Sequence, residues 1–203
     1  AIGQSSTASG INSVAIGESL LAKGDNSVAF GKSNKTNGIS SFSSGEGTTA
    51  NGKYSTSMGY KTLSCGTSSI AIGYESRTNG PYSLAQGYQS YANGISSIAM
   101  GYQAKACGKY SISLGQQNYA IGDNSFALGK SSKASGEVST TMGNGTKAEG
   151  NFSTAMGFMT SASGGISTAM GFMTSASGSN STAMGAMTSA SGDYSTSMGL
   201  GTL

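Results

Sequence analysis

Larger apolar residues and small residues alternate along short stretches of this chain, and the alternation restarts at fixed intervals. In the stretch Ser13–Gly17, valine and isoleucine take every second position, and serine, alanine and glycine lie around them. A period of two is typical of a β-strand. Helix is disfavoured because glycine recurs every seventh residue, and each glycine inside a helix costs about 1 kcal/mol relative to alanine. The pattern therefore predicts an all-β chain of short strands.

Two ladders of identical residues define a repeat. Glycine occupies every seventh position from Gly3 to Gly199, and serine every fourteenth position from Ser13 to Ser195. A fixed period of this kind indicates a solenoid in which each unit stacks on the next. Turn signals such as Gly24-Asp25-Asn26 follow the strands. We predict one repetitive domain over residues 1–203, a parallel β-roll of about 14 turns with two short strands per turn, stacked ~4.8 Å apart.

Small residues identify the predicted interior. The serine column and the column two residues later, which includes Ala15 and Ala29, contain only alanine, serine or threonine. Small side chains at every matching position suit two sheets that lie close together. A serine that faces inward must find a backbone partner, because an unpaired buried hydroxyl is costly.

The larger side chains of the first strand then point outward and form an apolar strip along one side of the roll. A strip of this size marks an interface, since leaving it in water would forfeit ~1.5–3 kcal/mol per aliphatic side chain. We therefore predict a homo-oligomer that packs these strips around a shared axis. The predicted seam residues are Val14, Ile16, Val28, Phe30, Ile70, Ile72, Ile98, Met100, Ile112, Leu114, Phe126, Leu128, Met156, Met170 and Met184.

The second strand projects mostly polar groups and is the predicted binding surface. Its outward basic column contains Lys35, Arg77, Lys105, Lys133 and Lys147. These charges either keep the surface soluble or attract an acidic matrix protein or glycan. A second candidate surface is an aromatic ladder at a turn, where stacking along the roll and contact with a ligand are both open. It consists of Tyr60, Tyr74, Tyr88 and Tyr102.

The motifs Asn12–Gly17, Asn26–Gly31 and Asn124–Gly129 resemble the head repeats of trimeric autotransporter adhesins, the YadA-like heads of Gram-negative bacteria. The resemblance covers essentially the whole chain. It implies a left-handed roll, an intertwined homotrimer and attachment to a host extracellular-matrix protein, glycan or cell surface. We expect an extracellular segment of a longer fibrous surface protein, with the anchor, stalk and caps outside this sequence and membrane association only through that anchor. Similar repeats occur in phage and large-virus fibres, so a virion fibre is an alternative.

Composition argues against catalysis. The chain has no histidine, only 9% charged residues and a formal charge of +3. We predict no enzyme activity, no cofactor, no metal and no nucleic-acid partner. Cys65 and Cys107 occupy the same repeat position and are expected to be free thiols or contacts to another chain. The regular threonine and serine columns near the end of the chain leave ice binding as a further alternative, although each threonine is paired with a methionine.

Overall fold

The computed structural model describes residues 1–202. They fall into two compact units, Ala1–Gln103 and Ala104–Leu203, and the description of the second ends at Thr202. Throughout both units, a two-residue strand alternates with a five-residue strand.

The first unit contains fourteen strands. They are β1 (Thr7–Ala8), β2 (Val14–Glu18), β3 (Leu21–Ala22), β4 (Val28–Lys32), β5 (Lys35–Thr36), β6 (Phe42–Glu46), β7 (Thr49–Ala50), β8 (Thr56–Tyr60), β9 (Leu63–Ser64), β10 (Ile70–Tyr74), β11 (Arg77–Thr78), β12 (Leu84–Tyr88), β13 (Tyr91–Ala92) and β14 (Ile98–Tyr102).

The second unit repeats the same alternation. Its strands are β15 (Lys105–Ala106), β16 (Ile112–Gln116), β17 (Tyr119–Ala120), β18 (Phe126–Lys130), β19 (Lys133–Ala134), β20 (Thr140–Asn144), β21 (Lys147–Ala148), β22 (Thr154–Phe158), β23 (Ser161–Ala162), β24 (Thr168–Phe172), β25 (Ser175–Ala176), β26 (Thr182–Ala186), β27 (Ser189–Ala190) and β28 (Thr196–Leu200).

Odd-numbered strands pair with one another in a short-strand sheet, and even-numbered strands pair in a long-strand sheet. Within each unit, the strand pairings are parallel and in register by one repeat, as in Ile70↔Leu84 and Arg77↔Tyr91. The chain is thus an all-β parallel β-solenoid of about 14 turns with two strands per turn, which confirms the predicted fold class. No helix occurs within residues 1–202.

The interior between the two sheets is lined by small side chains, as predicted. Ala15 and Ala29 of the long strands and Ala22 of a short strand are fully buried. Buried alanines line the second unit in the same way. A further buried column was not recognised in the sequence, because its members differ in character. It lies just before each short strand and includes Leu20, Asn34, Thr48 and Ser76.

Glycine recurs every seventh residue because neither the long strand nor the turn leaves room for a β-carbon at these positions. In the long strand, Gly73 has a φ of 114°, and an added Cβ would lie 2.1 Å from the carbonyl oxygen of Gly87. In the turn, an added Cβ on Gly164 would lie 2.0 Å from the carbonyl oxygen of Gly178. Both distances are far below van der Waals contact. Glycine is therefore a steric requirement of stacking both in the long strand and in the turn.

The turns also contain residues in the left-handed region other than glycine. One column follows the long strand and includes Ser19 and Gln89, and the other precedes the serine column and includes Asn26. Asparagine tolerates this region well, whereas a β-branched residue is disfavoured there. Val138 and Ile166 nevertheless adopt φ values of 54° and 55°. Stacking of identical turns therefore overrides the local preference of these two residues.

The serine column satisfies most of its buried hydroxyls within the turn, as expected. Ser41 donates to the carbonyl oxygen of Gly38 at 2.6 Å, and Ser69 donates to that of Gly66 at 2.7 Å. Four members of the column depart from this pattern, because their buried hydroxyls have no hydrogen-bond partner: Ser27, Ser55, Ser125 and Ser195.

Ser41→Ala and Ser27→Ala form a matched pair in adjacent turns. Loss of the Ser41 hydrogen bond should lower the free energy of unfolding by about 1 kcal/mol. The Ser27 variant should lose nothing, because it removes a buried group without a partner. Urea unfolding followed by circular dichroism measures both, and equal destabilisation would contradict this account of the column.

Candidate interaction surfaces

The outward side of the long strands, the long-strand face, carries the predicted seam. Every predicted seam residue lies on the long-strand face of the unit to which it belongs. These side chains point out of the roll, and none of them is fully buried. Val14, Ile16 and Ile70 are each 38–39% exposed. Two polar residues interrupt the column, since Ser44 and Gln86 occupy positions that pair in register with Phe30 and Ile72. The apolar character of the face is therefore strong but not continuous.

The predicted tyrosine ladder forms. The rings of Tyr60, Tyr74, Tyr88 and Tyr102 lie 4.9–5.0 Å apart between centroids, with interplanar angles of 4–18°. Loss of solvent around the Tyr74 hydroxyl raises its pKa, and the Glu75 carboxylate raises it further. This group is therefore neutral at physiological pH.

The position of the ladder differs from the prediction. Each tyrosine is the last residue of a long strand and does not lie in the turn. The ladder therefore lies at the C-terminal end of the long strands, two residues beyond the seam position of Ile72. Phe158 and Phe172 stack at the same repeat position in the second unit, with centroids 5.3 Å apart. The aromatic column thus belongs to the long-strand sheet and not to the short-strand sheet.

The predicted basic column lies on the outward side of the short strands, the short-strand face. Lys35 and Arg77 are exposed in the first unit, and Lys147 is exposed in the second, where Lys105 and Lys133 are half-buried. Its densest part is in the second unit, where Lys133 and Lys147 are direct neighbours in register. Like charges directly opposite one another are unfavourable. Among residues 1–202, Lys133 is the one member of the column with an ion pair, to Glu149 at 3.9 Å.

Sequence reasoning missed a groove on the short-strand face of the first unit. It has a volume of about 550 Å³ and is lined by Leu63, Glu75, Arg77, Asn79, Gln89, Ser90 and Tyr91. Only Arg77 among these was a candidate from the sequence. Leu63 and Tyr91 share the repeat column of Arg77, whereas Glu75 and Gln89, Asn79, and Ser90 come from three further columns, so no single ladder in the sequence joins them.

The hydroxyl columns near the end of the chain are regular. Thr154 pairs in register with Thr168 on the long strands, and Ser161 with Ser175 on the short strands. Methionines pair in register two residues after the threonines, as in Met156↔Met170. The long-strand face therefore alternates threonine and methionine columns there.

The two cysteines are free, as predicted. Cys65 is exposed, and Cys107 is partly buried. Burial raises the pKa of the Cys107 thiol, and the nearby Lys105 ammonium opposes this shift. Within residues 1–202, no cluster of three or more histidine, cysteine or acidic residues could hold a metal ion, and no helix could span a membrane.

The described turns thus form a parallel β-solenoid with an apolar face and a polar face. A family model described as the YadA head domain repeat matches residues 1–17, 22–45, 37–62, 66–90, 92–118, 106–132, 120–146, 134–158, 148–172, 162–186 and 176–202. The chain belongs to this family. A search of the curated proteins finds no match.

Family membership assigns a general role. YadA-type heads form homotrimers, bind host surfaces and are exposed at the cell surface. The family is a structural adhesin domain and not an enzyme family. The chain is accordingly a head segment of the trimeric autotransporter adhesin type.

Proposed function

We propose that this chain is a non-enzymatic attachment segment that works as a homotrimer outside the cell. The observation that carries the proposal is the long-strand face. Its large apolar side chains form neighbouring columns and are partly exposed in a single copy of the chain. Burying each of them against another copy would stabilise the assembly by ~1.5–3 kcal/mol per aliphatic side chain. Three copies with their long-strand faces toward a common axis would bury this surface without exposing another apolar face.

Light scattering across a dilution series tests the assembly directly. A mass of three times the 20.1 kDa of one chain supports the proposal. A stable monomer would contradict it and would leave the threonine columns as the next surface to test, by an ice-growth assay.

In the trimer, the short-strand face is the binding surface, and its basic column attracts acidic matrix proteins or glycans. The neighbouring lysines Lys133 and Lys147 support this assignment, since their repulsion gives no benefit to the fold. A polyanion bound along the column would neutralise both charges. The same face would be presented by each of the three copies, which favours long ligands through repeated weak contacts.

Binding to immobilised heparin, used as a model polyanion, tests the column. The double variant Lys133→Ala, Lys147→Ala should bind several-fold more weakly and with a smaller salt dependence, because two charges near the ligand are lost. The matched control is Lys53→Ala, Lys109→Ala, which removes two exposed lysines from turn positions. Equal losses in the two double variants would reduce the effect to net charge and contradict a binding role for the column.

A further inference from the structure

We propose that the groove around Arg77 binds one carboxylate-bearing sugar unit of an acidic glycan. The inference rests on the proposed function, since it places a specific ligand on the same short-strand face. It differs in chemistry from the lysines of the basic column, because a single guanidinium in a groove with polar walls replaces a row of ammonium groups.

Arg77 is the only arginine of the sequence. Unlike Lys32, which pairs with Glu18 at 3.4 Å, its guanidinium has no ion pair or hydrogen bond among residues 1–202. A guanidinium offers a planar fork that matches a carboxylate with two parallel hydrogen bonds. The Arg77 guanidinium is unpaired and lines a groove, so its geometry suits a carboxylate ligand.

The walls of the groove suit the ring of a sugar. Leu63 and Tyr91 are the register neighbours of Arg77 on either side, so Arg77 extends from the sheet between an aliphatic and an aromatic residue. The Tyr91 hydroxyl accepts a hydrogen bond from Asn79 at 2.6 Å and donates one to Asn93 at 3.2 Å. These contacts hold the aromatic ring in place as a preformed platform.

The opposite wall selects against a simple anion. Glu75 lies two residues from Arg77 but is held by Gln89, whose amide donates to the carboxylate at 2.8 Å. The remaining acceptor positions of Glu75 suit the hydroxyl groups of a sugar. The same negative charge repels a densely sulfated or phosphorylated chain. A ligand with one carboxylate on one side and hydroxyls on the other satisfies both the Arg77 guanidinium and the Glu75 carboxylate.

The groove also has a suitable size. Its volume of about 550 Å³ lies within the ~300–1,000 Å³ common for small-ligand sites. All of its lining residues belong to the first unit.

Saturation-transfer NMR and calorimetry test the site with the full chain. The probes are methyl β-D-glucuronide and methyl α-N-acetylneuraminide, which separate the two common sources of a sugar carboxylate, and methyl β-D-glucoside is the neutral control. We expect at least one acidic sugar to bind and the glucoside to bind much more weakly. Arg77→Lys keeps the charge but loses the fork, and should weaken binding about tenfold. Arg77→Gln should abolish it.

The control variant is Lys53→Gln, which removes the same charge from an exposed turn of the first unit, outside the basic column, and should leave sugar binding unchanged. Absence of binding by both acidic sugars overturns the proposal, as does wild-type affinity in Arg77→Lys and Arg77→Gln or an equal loss in Lys53→Gln. Arg77 is exposed, so circular dichroism should show all variants folded. Heparin binding by the same samples separates the two ideas, because failure of the groove leaves it intact and failure of the proposed function abolishes it.

Discussion

Gly164→Ala should strongly destabilise the protein, whereas Gly165→Ala in the next position should not. An alanine Cβ at Gly164 would lie 2.0 Å from the carbonyl oxygen of Gly178 and 2.5 Å from its carbonyl carbon. These are backbone atoms of the next turn and cannot rotate away. The turns must separate locally, and we expect a loss of about 3 kcal/mol or more in the free energy of unfolding. A Cβ at Gly165 meets nothing within 4 Å.

The pair isolates the steric cause, because both changes add one methyl group to neighbouring glycines in a single turn. Gly165→Ala should be neutral or stabilise slightly, by about 0.4–1 kcal/mol through a less flexible unfolded chain. Thermal unfolding followed by circular dichroism should therefore show a large drop in Tm for Gly164→Ala only. Similar Tm values for the two variants would show that the glycine ladder is not required for close stacking of the turns.

The sequence predicts the fold well because stacking constrains the same positions in every turn. Gly164 and Gly165 show how the inference works, since Gly164 falls on the seven-residue ladder and Gly165 does not. The inward alanine and serine columns are equally readable, because the narrow interior admits only small side chains.

Other features escape sequence reasoning for physical reasons. The buried column with Leu20, Asn34 and Thr48 is chemically mixed, since the space at that corner accepts aliphatic, amide and hydroxyl side chains, and the Thr48 hydroxyl is buried there without a hydrogen-bond partner. Asn34 donates to the carbonyl oxygen of Gly45 at 2.8 Å and accepts from the backbone amide of Thr48 at 2.8 Å. Its burial is visible only once the partner atoms of the neighbouring turn are in place.

The candidate surfaces divide in the same way. Columns whose members lie whole repeats apart, such as the tyrosine ladder and the basic column, can be found from the period alone. The groove around Arg77 cannot, because it needs the lateral position of Glu75, Asn79 and Tyr91 relative to one another. Their relative position depends on where the five-residue strand ends and the two-residue strand begins. The seven-residue spacing of the glycines does not mark this boundary.

Ile72→Asp should convert the proposed trimer into monomer or aggregate while leaving the roll itself folded. Ile72 points out of the long-strand face between its register neighbours Met58 and Gln86. In a homotrimer around a shared axis, one substitution brings three carboxylates into the seam. Each charge loses water at a cost of several kcal/mol, and the three repel one another. Light scattering should show the mass fall from three chains toward the 20.1 kDa of one chain, or rise through aggregation.

Ile121→Asp is the matched control, because Ile121 is 42% exposed and directly follows a short strand on the opposite side of the roll. The chemical change is the same, so an effect of charge or of lost β-propensity alone would appear in both variants. The control should remain a trimer. Assembly of the Ile72 variant should recover in part below about pH 4, where an aspartate takes up a proton and no longer needs to be desolvated as an ion. An intact trimer for Ile72→Asp at neutral pH would mean that the long-strand face does not form the seam.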